Sequence, residues 1–489
     1  MKKIICLLCA LALLLGFAAC ADSSGKTDDT QAAAGSDTDG PVSEAETVPF
    51  DLVPEEKLGG TFTILYPKTD SAFRDFQAET VNGEIQNDAV YARNQAVENR
   101  LGIEISIDTC ANYSATIEAI RKQYTTGEVA YDMFGGHRDV LALSRQGMLY
   151  DLNRIEALDF DGPWWDANYN DTMTINGSLY SAVGDLSVAS LLFVSSLTFN
   201  KALMDDYGFE YPYDKVRNMD WKYEDFFEMV KTFGGDTDGS KLDMEKDDYS
   251  IVGWSIETGY SLFYASGFSF MTRLPDGKYT VEFSSDTVTD VMTKTNALWH
   301  APGAFCYYAS GDTEHIRLYK IFAEGRALFS DICLNKVGRF YSDMRDDYGI
   351  LPLPLMSADQ ERYYSYCGYT IPFTCMTSNV EDPEREGKII EALAKSSYTM
   401  VTPKAYEIIT KSRNVRDAES AEMVEIVYRN KFYDVAHFYN LPMFGTLPRD
   451  MIKTDNAGIA QAIKSGLGQA AKSWNSIQKD YDNLARSGG

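Results

Sequence analysis

The sequence contains few of the residues and motifs that mark common catalytic sites. Its 489 residues include only four histidines, and there is no GxSxG, HExxH or Walker-type glycine loop. Of the eight cysteines, Cys6 and Cys9 lie in the apolar N-terminal run, and the other six are dispersed with no CxxC pair for zinc. The enzyme classes that carry such signatures are therefore not expected. An enzyme acting on carbohydrate through paired carboxylates stays open as an alternative, since 72 acidic residues make any chosen pair uninformative.

Positive charge is also scarce. Lys and Arg number 45 against 72 Asp and Glu, so the formal net charge is −27, and it becomes −29 if Lys2 and Lys3 leave with an export signal. A chain this acidic repels phosphate backbones, which makes nucleic acid a poor partner, and an anionic ligand would require a local basic pocket. Aromatic residues make up 13% of the chain and include 31 tyrosines.

The only apolar run that approaches membrane-spanning length is Ile4–Ala19, which follows Lys2 and Lys3. It is short for a permanent membrane helix and typical of the hydrophobic segment of a signal peptide. The run ends in Phe-Ala-Ala before Cys20, which resembles a lipobox. Residues 1–19 are therefore predicted to be cleaved, and the Cys20 thiol is predicted to carry a lipid. The alternative is an ordinary signal peptide that ends near a cysteine.

Residues 20–57 are predicted to form a flexible acidic tether. Ser, Asp, Thr, Gly and Ala dominate residues 21–48, and such a segment cannot offset its chain entropy by burying apolar surface. About 430 residues remain, which is too many for one compact core and predicts two domains. Five cysteines lie in this body and are expected to be small buried hydrophobes: Cys110, Cys306, Cys333, Cys367 and Cys375.

The first part of the body alternates strand and helix patterns. Strands are predicted at 60–66, 103–107 and 131–134, with helices over 90–101 and 115–124 between them. This order is typical of a parallel α/β sheet, whose ligand crevice lies at the carboxyl ends of the strands. The later expectations are an aromatic loop over 164–176, a buried strand over Leu191–Phe199, a helix over 221–233, and mostly helices from Glu384 onward with the last near 470–484.

Several short motifs occur in the order known from one family. The motif "YD(I/L/V)…G.L.DL" is matched by Tyr131-Asp132-Met133 and the later Gly147–Asn153, and "GKLYG.P" resembles Asn176–Tyr180. The motif "YNK" is matched by Phe199-Asn200-Lys201, and "TWDE" is similar to Trp221 with Phe226. The motif "F..GKAAM" is matched by Phe322–Ala327, and "YG..P.P" resembles Tyr348–Pro354. Behind a lipobox, this series resembles the family 1 extracellular solute-binding proteins, the sugar-binding lipoproteins of bacterial ABC importers.

The resemblance implies a two-lobe α/β fold of the periplasmic-binding-protein type II class. Each lobe would be a sheet flanked by helices, with the ligand held in a cleft at the hinge. Lobe 1 is expected to contain 58–185 and about 370–415, and lobe 2 about 190–365 and about 416–489. The chain would cross between lobes near 181–191 and 366–373. Such proteins close around their ligand by hinge bending.

Sugar sites combine aromatic faces with hydrogen-bonding side chains, and the resemblance implies candidates at the cleft edges. The residues predicted to contact ligand are Tyr180, Asp185, Trp254, Tyr260, Tyr264, Asp331, Tyr366 and Tyr369, with His137 and Arg138 after the third predicted strand. For each tyrosine the alternative is a ring packed on a lobe surface, and for His137 and Arg138 it is a solvated loop. Trp164 and Trp165 form either a cleft wall or a packed corner.

The acidic segment Asp236–Asp247 is similar to an EF-hand-like loop that some relatives carry. Lys241 stands at the sixth position, where that loop needs glycine, and the twelfth position is Asp rather than Glu. An acidic surface turn is therefore expected, with no metal site and no cofactor.

The resemblance implies that the protein captures a carbohydrate, an oligosaccharide above all, and delivers it to the permease subunits of an ABC importer. It would be a monomer, held by its lipid on the extracytoplasmic face of the cell membrane, and not an enzyme. The alternatives are a secreted carbohydrate-active enzyme and a binding protein for a non-sugar solute. A surface adhesion protein fits less well, because such chains are usually β-rich and repetitive.

Overall fold

The computed structural model of the chain describes residues 53–68, 74–235, 243–308, 315–410, 418–453 and 458–487. The predicted signal peptide, Cys20, most of the tether and residues 236–242 of the calcium-like segment lie outside these ranges. Within them, no helix is both long enough and apolar enough to cross a bilayer.

Strands and helices alternate through the described ranges. The strands are β1 Thr61–Pro67, β2 Glu104–Cys110, β3 Met133–Gly136, β4 Ser195–Asn200, β5 Tyr249–Trp254, β6 Thr272–Arg273, β7 Tyr279–Thr280, β8 Ala304–Tyr307, β9 Ala327–Cys333, β10 Tyr348–Leu351, β11 Ser365–Tyr366, β12 Phe373–Cys375 and β13 Lys431–Phe432. The helices are α1 Ile85–Leu101, α2 Tyr113–Thr126, α3 Leu141–Ser144, α4 Ala167–Met173, α5 Val188–Leu192, α6 Lys201–Tyr207, α7 Tyr213–Arg217, α8 Tyr223–Thr232, α9 Ser255–Tyr264, α10 Ser285–Trp299, α11 His315–Ala323, α12 Leu334–Tyr341, α13 Pro383–Met400, α14 Thr402–Thr410, α15 Ala418–Arg429, α16 Val435–Phe438, α17 Leu447–Met451 and α18 Ile459–Ser487.

The first lobe is built on a four-stranded sheet with the order β12-β3-β1-β2. β1 pairs in parallel with β2 and β3, and β12 runs antiparallel to β3. Phe62, Ile64 and Tyr66 of β1 are fully buried, which explains the alternating apolar pattern in the sequence. Helix α1 ends where Gly102 adopts a left-handed φ of 64°, a conformation that glycine takes without steric cost.

The second lobe is built on a five-stranded sheet with the order β10-β4-β9-β5-β8. β5 pairs in parallel with β8 and β9, whereas β4 runs antiparallel to both β9 and β10. Apart from β10, the two sheets have the same plan. Each has a central strand, two parallel neighbours and one antiparallel strand that joins after a crossing from the other sheet.

Most of the predicted elements agree with the structure, and two differ for physical reasons. The three predicted strands and two helices of the first sheet are confirmed, with shifted ends. The prediction of a loop over 164–176 is wrong for Ala167–Met173, which forms α4 because Asp166 caps it by accepting from the Tyr169 N–H. The prediction of one strand over Leu191–Phe199 is also wrong in part, since α5 extends to Leu192 and β4 begins at Ser195. Apolar residues alternate irregularly with serine and threonine here and keep neither period, so the sequence does not separate helix from strand.

The buried cysteines and tryptophans have packing roles. All five cysteines of the body are free thiols, and Cys306, Cys333, Cys367 and Cys375 are buried as expected. Trp164 and Trp165 are also buried, and the Trp165 Nε1–H donates to the Glu391 carboxylate at 2.9 Å. The packed-corner interpretation of this tryptophan pair is therefore confirmed.

Candidate ligand site

Polar and aromatic side chains lie where the parallel strands of both sheets end. His137 and Arg138 directly follow β3 in the first sheet, and Trp254 is the last residue of β5 in the second. All three side chains are only partly buried. Ligand crevices in open α/β sheets form at this carboxyl edge, so these residues occupy the position expected of a binding site.

Four of the predicted tyrosines meet around one histidine, and we call this group the tyrosine cluster (Tyr260, Tyr264, Tyr366, Tyr369 and His437). The ring of Tyr366 stacks on those of Tyr260 and Tyr264, with centroids 5.5 and 5.4 Å away. The His437 ring lies 4.4 Å from Tyr260 and 5.2 Å from Tyr369. Only Tyr369 is partly exposed, so it is the ring of this cluster that a ligand can reach.

His437 is a neutral, fully buried anchor of the tyrosine cluster. Its Nδ1 lies 2.9 Å from the Gly445 carbonyl oxygen, which can only accept, so Nδ1 carries the proton. Nε2 then accepts from the Tyr366 hydroxyl at 2.9 Å. Burial and the neighbouring charge of Arg138 lower the pKa of His437 to about 3. The imidazole therefore holds Tyr366 in place and does not change charge near neutral pH.

Arg138 connects the first sheet to the tyrosine cluster. Its guanidinium carbon lies 3.6 Å from the centroid of the Tyr369 ring, a stacking geometry that arginine favours. Its Nη1 donates to the His437 carbonyl at 3.3 Å, and its backbone N–H donates to the Tyr369 carbonyl at 3.3 Å. Arg138 thus joins the carboxyl edge of β3 to Tyr369, which lies between β11 and β12, and to His437 of α16.

A second group of polar side chains lies at the carboxyl edge of the second sheet. Asp331 in β9 pairs in register with Gly253, next to Trp254, and it accepts a hydrogen bond from the Ser261 hydroxyl. Lys336 forms an ion pair with Glu257, and its ammonium lies 5.1 Å from the Trp254 ring centroid. One Asp331 oxygen is buried without a partner in the described part of the chain. A ring face beside carboxylates and an ammonium is an arrangement suited to a polyhydroxylated ligand.

The other three predicted contacts belong to neither group. Tyr180 stacks on Tyr481 of α18, with centroids 5.3 Å apart. His137 packs against Tyr113 at 3.8 Å, and burial lowers its pKa. Asp185 is buried beside Asp166 and Lys431, whose charges act on it. Of the ten predicted residues, four tyrosines meet in the tyrosine cluster and Arg138 stacks against it. Trp254 and Asp331 belong to the second group.

Three further residues of the site carry no clear signal in the sequence. His437 of the tyrosine cluster and Arg449, whose Cα lies close to Gly259 beside Tyr260, come from the mostly helical segment after Glu384, where no motif of the family was matched. Lys336 follows β9 by three residues, which places it at the carboxyl edge once that strand is known. The scarcity of histidine, only four in the chain, is the one feature that could have singled out His437.

The two buried aspartates predict a pH dependence of stability. Burial raises the pKa of both Asp185 and Asp331 to about 7, well above the unfolded value. Between those values the native state binds more protons than the unfolded state, so the free energy of unfolding falls as pH rises from about 5 to about 8. We expect Asp185→Asn to flatten this fall in urea unfolding measured across the same range.

The matched control for this measurement is the exposed Asp220→Asn, whose pKa is lowered by a hydrogen bond from Lys222. That variant should keep the wild-type slope above about pH 5, because the Asp220 carboxylate is ionised in both states there. An unchanged slope in Asp185→Asn would contradict a buried carboxyl with a raised pKa.

No metal-binding cluster of His, Cys, Asp or Glu is found among the described residues. In the calcium-like segment, Asp247 is described, and its carboxylate accepts from the Asp243 backbone N–H at 2.7 Å. The remaining positions of that segment up to residue 242 lie outside the described ranges.

Comparison by sequence finds no matching family model and no matching curated protein. Solved structures do match. A cyclo/maltodextrin-binding protein complexed with maltotetraose is 14% identical, covering 86% of this chain and 97% of its own, with a TM-score of 0.52. The apo form of RafE from Streptococcus pneumoniae is 12% identical over 84% and 98%, with a TM-score of 0.52. A sugar transporter from Rhizobium etli in an open conformation is 14% identical over 86% and 99%, with a TM-score of 0.54. The chain therefore has the two-lobe α/β fold of these solute-binding structures, and the predicted fold class is confirmed.

Proposed function

We propose that the protein is an extracytoplasmic solute-binding lipoprotein that captures a carbohydrate and delivers it to an ABC importer. The observation that carries the proposal is that two partly exposed rings each lie beside a charged side chain near the carboxyl edge of a sheet. Arg138 lies over Tyr369, and Lys336 lies beside Trp254. Stacking faces beside hydrogen-bonding groups suit the flat C–H faces and hydroxyls of sugars.

Likeness in fold supports the same class of ligand. The neighbour solved with maltotetraose is a maltodextrin-binding protein, and the Rhizobium etli neighbour is a sugar transporter. Both are proteins of binding or transport rather than enzymes. A sequence identity of 14% supports the shared fold only, so the bound sugar has to be determined by experiment.

The anchor, the lobes and the partner complete the proposal. Lipid on Cys20 would hold the body near the permease, and residues 21–57 would allow it to move between medium and membrane. Lobe 1 would comprise 58–185 with about 370–415, and lobe 2 the remainder of the body. The two lobes would close on the ligand, and the permease could then distinguish the closed, loaded protein from the open, empty one.

The proposal is tested by titration calorimetry of the purified body with neutral and acidic oligosaccharides. We expect stoichiometric binding without turnover, and Trp254→Ala to weaken it by about 2 kcal/mol, roughly a thirtyfold rise in Kd, through lost ring contact. Tyr124→Ala is the matched control, because Tyr124 is 39% exposed near the end of α2 that is opposite the carboxyl edge. It should bind as the wild type does.

Two outcomes would contradict the proposal. Release of shorter sugars during incubation would favour the enzyme alternative. Failure of every sugar to bind, together with binding of a peptide or polyamine, would favour a non-sugar solute. A Cys20→Ala variant should separately release the protein into the medium with unchanged affinity.

A further inference from the structure

Two arginines act on the tyrosine cluster, in a chain whose formal net charge is −27. The guanidinium of Arg138 lies over the Tyr369 ring at 3.6 Å. Arg449 approaches the cluster through its backbone, since a Cβ added at Gly259, the residue before Tyr260, would lie 2.7 Å from the Arg449 Cα. Burial raises the pKa of Tyr260, and the positive charges of Arg449 and Arg138 oppose that rise. This is a local basic site in a strongly acidic protein.

Arg138 is short of acceptors. A guanidinium has five N–H donors, yet within the described residues its side chain donates only to the His437 carbonyl at 3.3 Å. Its Nε is buried without a partner in those ranges, and no described carboxylate forms an ion pair with it. A partly buried cation that lacks a counter-charge is costly, so the site favours the arrival of an anion.

Arg449 adds positive charge that its neighbours do not cancel. Its Nη2 lies 3.0 Å from the Asp450 carboxylate, and Lys453 lies 3.7 Å from the same carboxylate. Arg449 and Lys453 thus share the single carboxylate of Asp450. The position of Arg449 depends on Gly259 of α9, where an added Cβ would lie 2.7 Å from the Arg449 Cα. Glycine at this position lets α17 approach α9 closely.

We propose that the captured carbohydrate is acidic, and that Arg138 and Arg449 bind its carboxylate; this rests on the function proposed above. The planar Arg138 fork matches a carboxylate in two parallel hydrogen bonds, and Tyr369 holds the fork in orientation. The uronate ring lies at the tyrosine cluster, and the neutral part of the sugar extends toward Trp254.

A carboxylate fits the surroundings better than a phosphate ester does. Phosphate sites commonly use the free N–H groups at a helix N-terminus. Here the N-terminal turn of α9 carries Glu257, which pairs with Lys336, and Ser261 of the same helix donates to Asp331, so acidic side chains already occupy that end. Arg138, which has no described acid partner, lies instead against an aromatic face, the ring of Tyr369.

The experiment compares matched ligands by titration calorimetry on the lipid-free full body. The probes are oligogalacturonides and glucuronate-bearing xylo-oligosaccharides, each beside the same sugar with its carboxylate reduced to an alcohol. We expect at least one acidic sugar to bind about 10 to 100 times more tightly than its reduced form, with a difference that shrinks as salt is raised. Arg138→Gln and Arg449→Gln should each remove most of that preference, because each should weaken binding of the acidic sugar far more than binding of its reduced form.

Controls separate this inference from loss of folding and from the proposed function. Arg429→Gln, at a side chain that is 74% exposed, should keep the preference. Thermal melting checks that each variant is folded, and Arg138→Lys should retain only part of the preference, since it keeps the charge but loses the fork. Equal binding of the acidic and reduced forms, or preference for sulfated over carboxylated sugars, overturns the inference and leaves carbohydrate capture standing. Binding of no sugar of either kind overturns the proposed function itself.

Discussion

Replacing Lys431 with Met is expected to destabilise the protein by about 3 to 5 kcal/mol, because it leaves a buried carboxylate without its counter-ion. The Lys431 ammonium forms an ion pair with Asp166, and both side chains are at most 3% exposed. Asp166 also accepts from the Tyr433 hydroxyl at 2.8 Å, and the Lys431 ammonium lies 4.2 Å from the Tyr428 ring centroid. The urea midpoint of unfolding, at constant m-value, measures the loss.

Two comparisons show whether the charge is responsible. The double variant Lys431→Met with Asp166→Asn should recover much of the loss, since no uncompensated charge is then buried. Lys388→Met breaks the exposed pair with Glu56, whose partners are 43% and 45% exposed, and should cost less than about 1 kcal/mol. A Lys431→Met cost as small as that of Lys388→Met would contradict the assignment.

Replacing Gly135 with Ala is expected to cost about 3 kcal/mol and to weaken ligand binding. An added Cβ at Gly135 would lie 1.8 Å from Cε1 of Tyr66, whose ring is fully buried and cannot move aside. β3 must then shift, and it carries Arg138 two residues beyond its end. Chemical unfolding and calorimetry with the best sugar measure the two effects.

Gly338→Ala is the control for this substitution. Gly338 lies within α12, and an added Cβ would meet no atom within 4 Å. Alanine there should stabilise the helix by about 0.5 to 1 kcal/mol and leave ligand affinity unchanged. If Gly135→Ala behaved like Gly338→Ala, the close packing of Tyr66 against β3 would not matter for the site.

The fold was predictable wherever one local signal agreed with burial. The alternation of β1 and the stop of α1 at Gly102 depend on neighbouring residues alone, and both are seen in the structure. The boundary between α5 and β4 was not predictable, because every residue of both elements is buried and neither shows a regular spacing of buried and exposed positions.

The site was predictable in part, for a different reason. Tyr260 and Tyr366 could be placed near crossings and strand ends, and the structure stacks them together. Tyr180 was placed by the same reasoning, but its ring is covered by Tyr481, about 300 residues later. The order of elements tells which strand end a residue follows. It does not tell which distant helix will pack over it, and that decides whether a ligand can reach the side chain.

The shared plan of the two sheets also sets an order of events during synthesis. β1, β2 and β3 are complete by residue 136, but the antiparallel strand that closes their sheet is residues 373–375 of 489. More than three quarters of the chain must therefore emerge before the first lobe can acquire its edge strand. Until then β3 has an open edge, a surface on which unfinished chains pair wrongly. A polypeptide built this way benefits from a factor that keeps it unfolded until its last quarter is available.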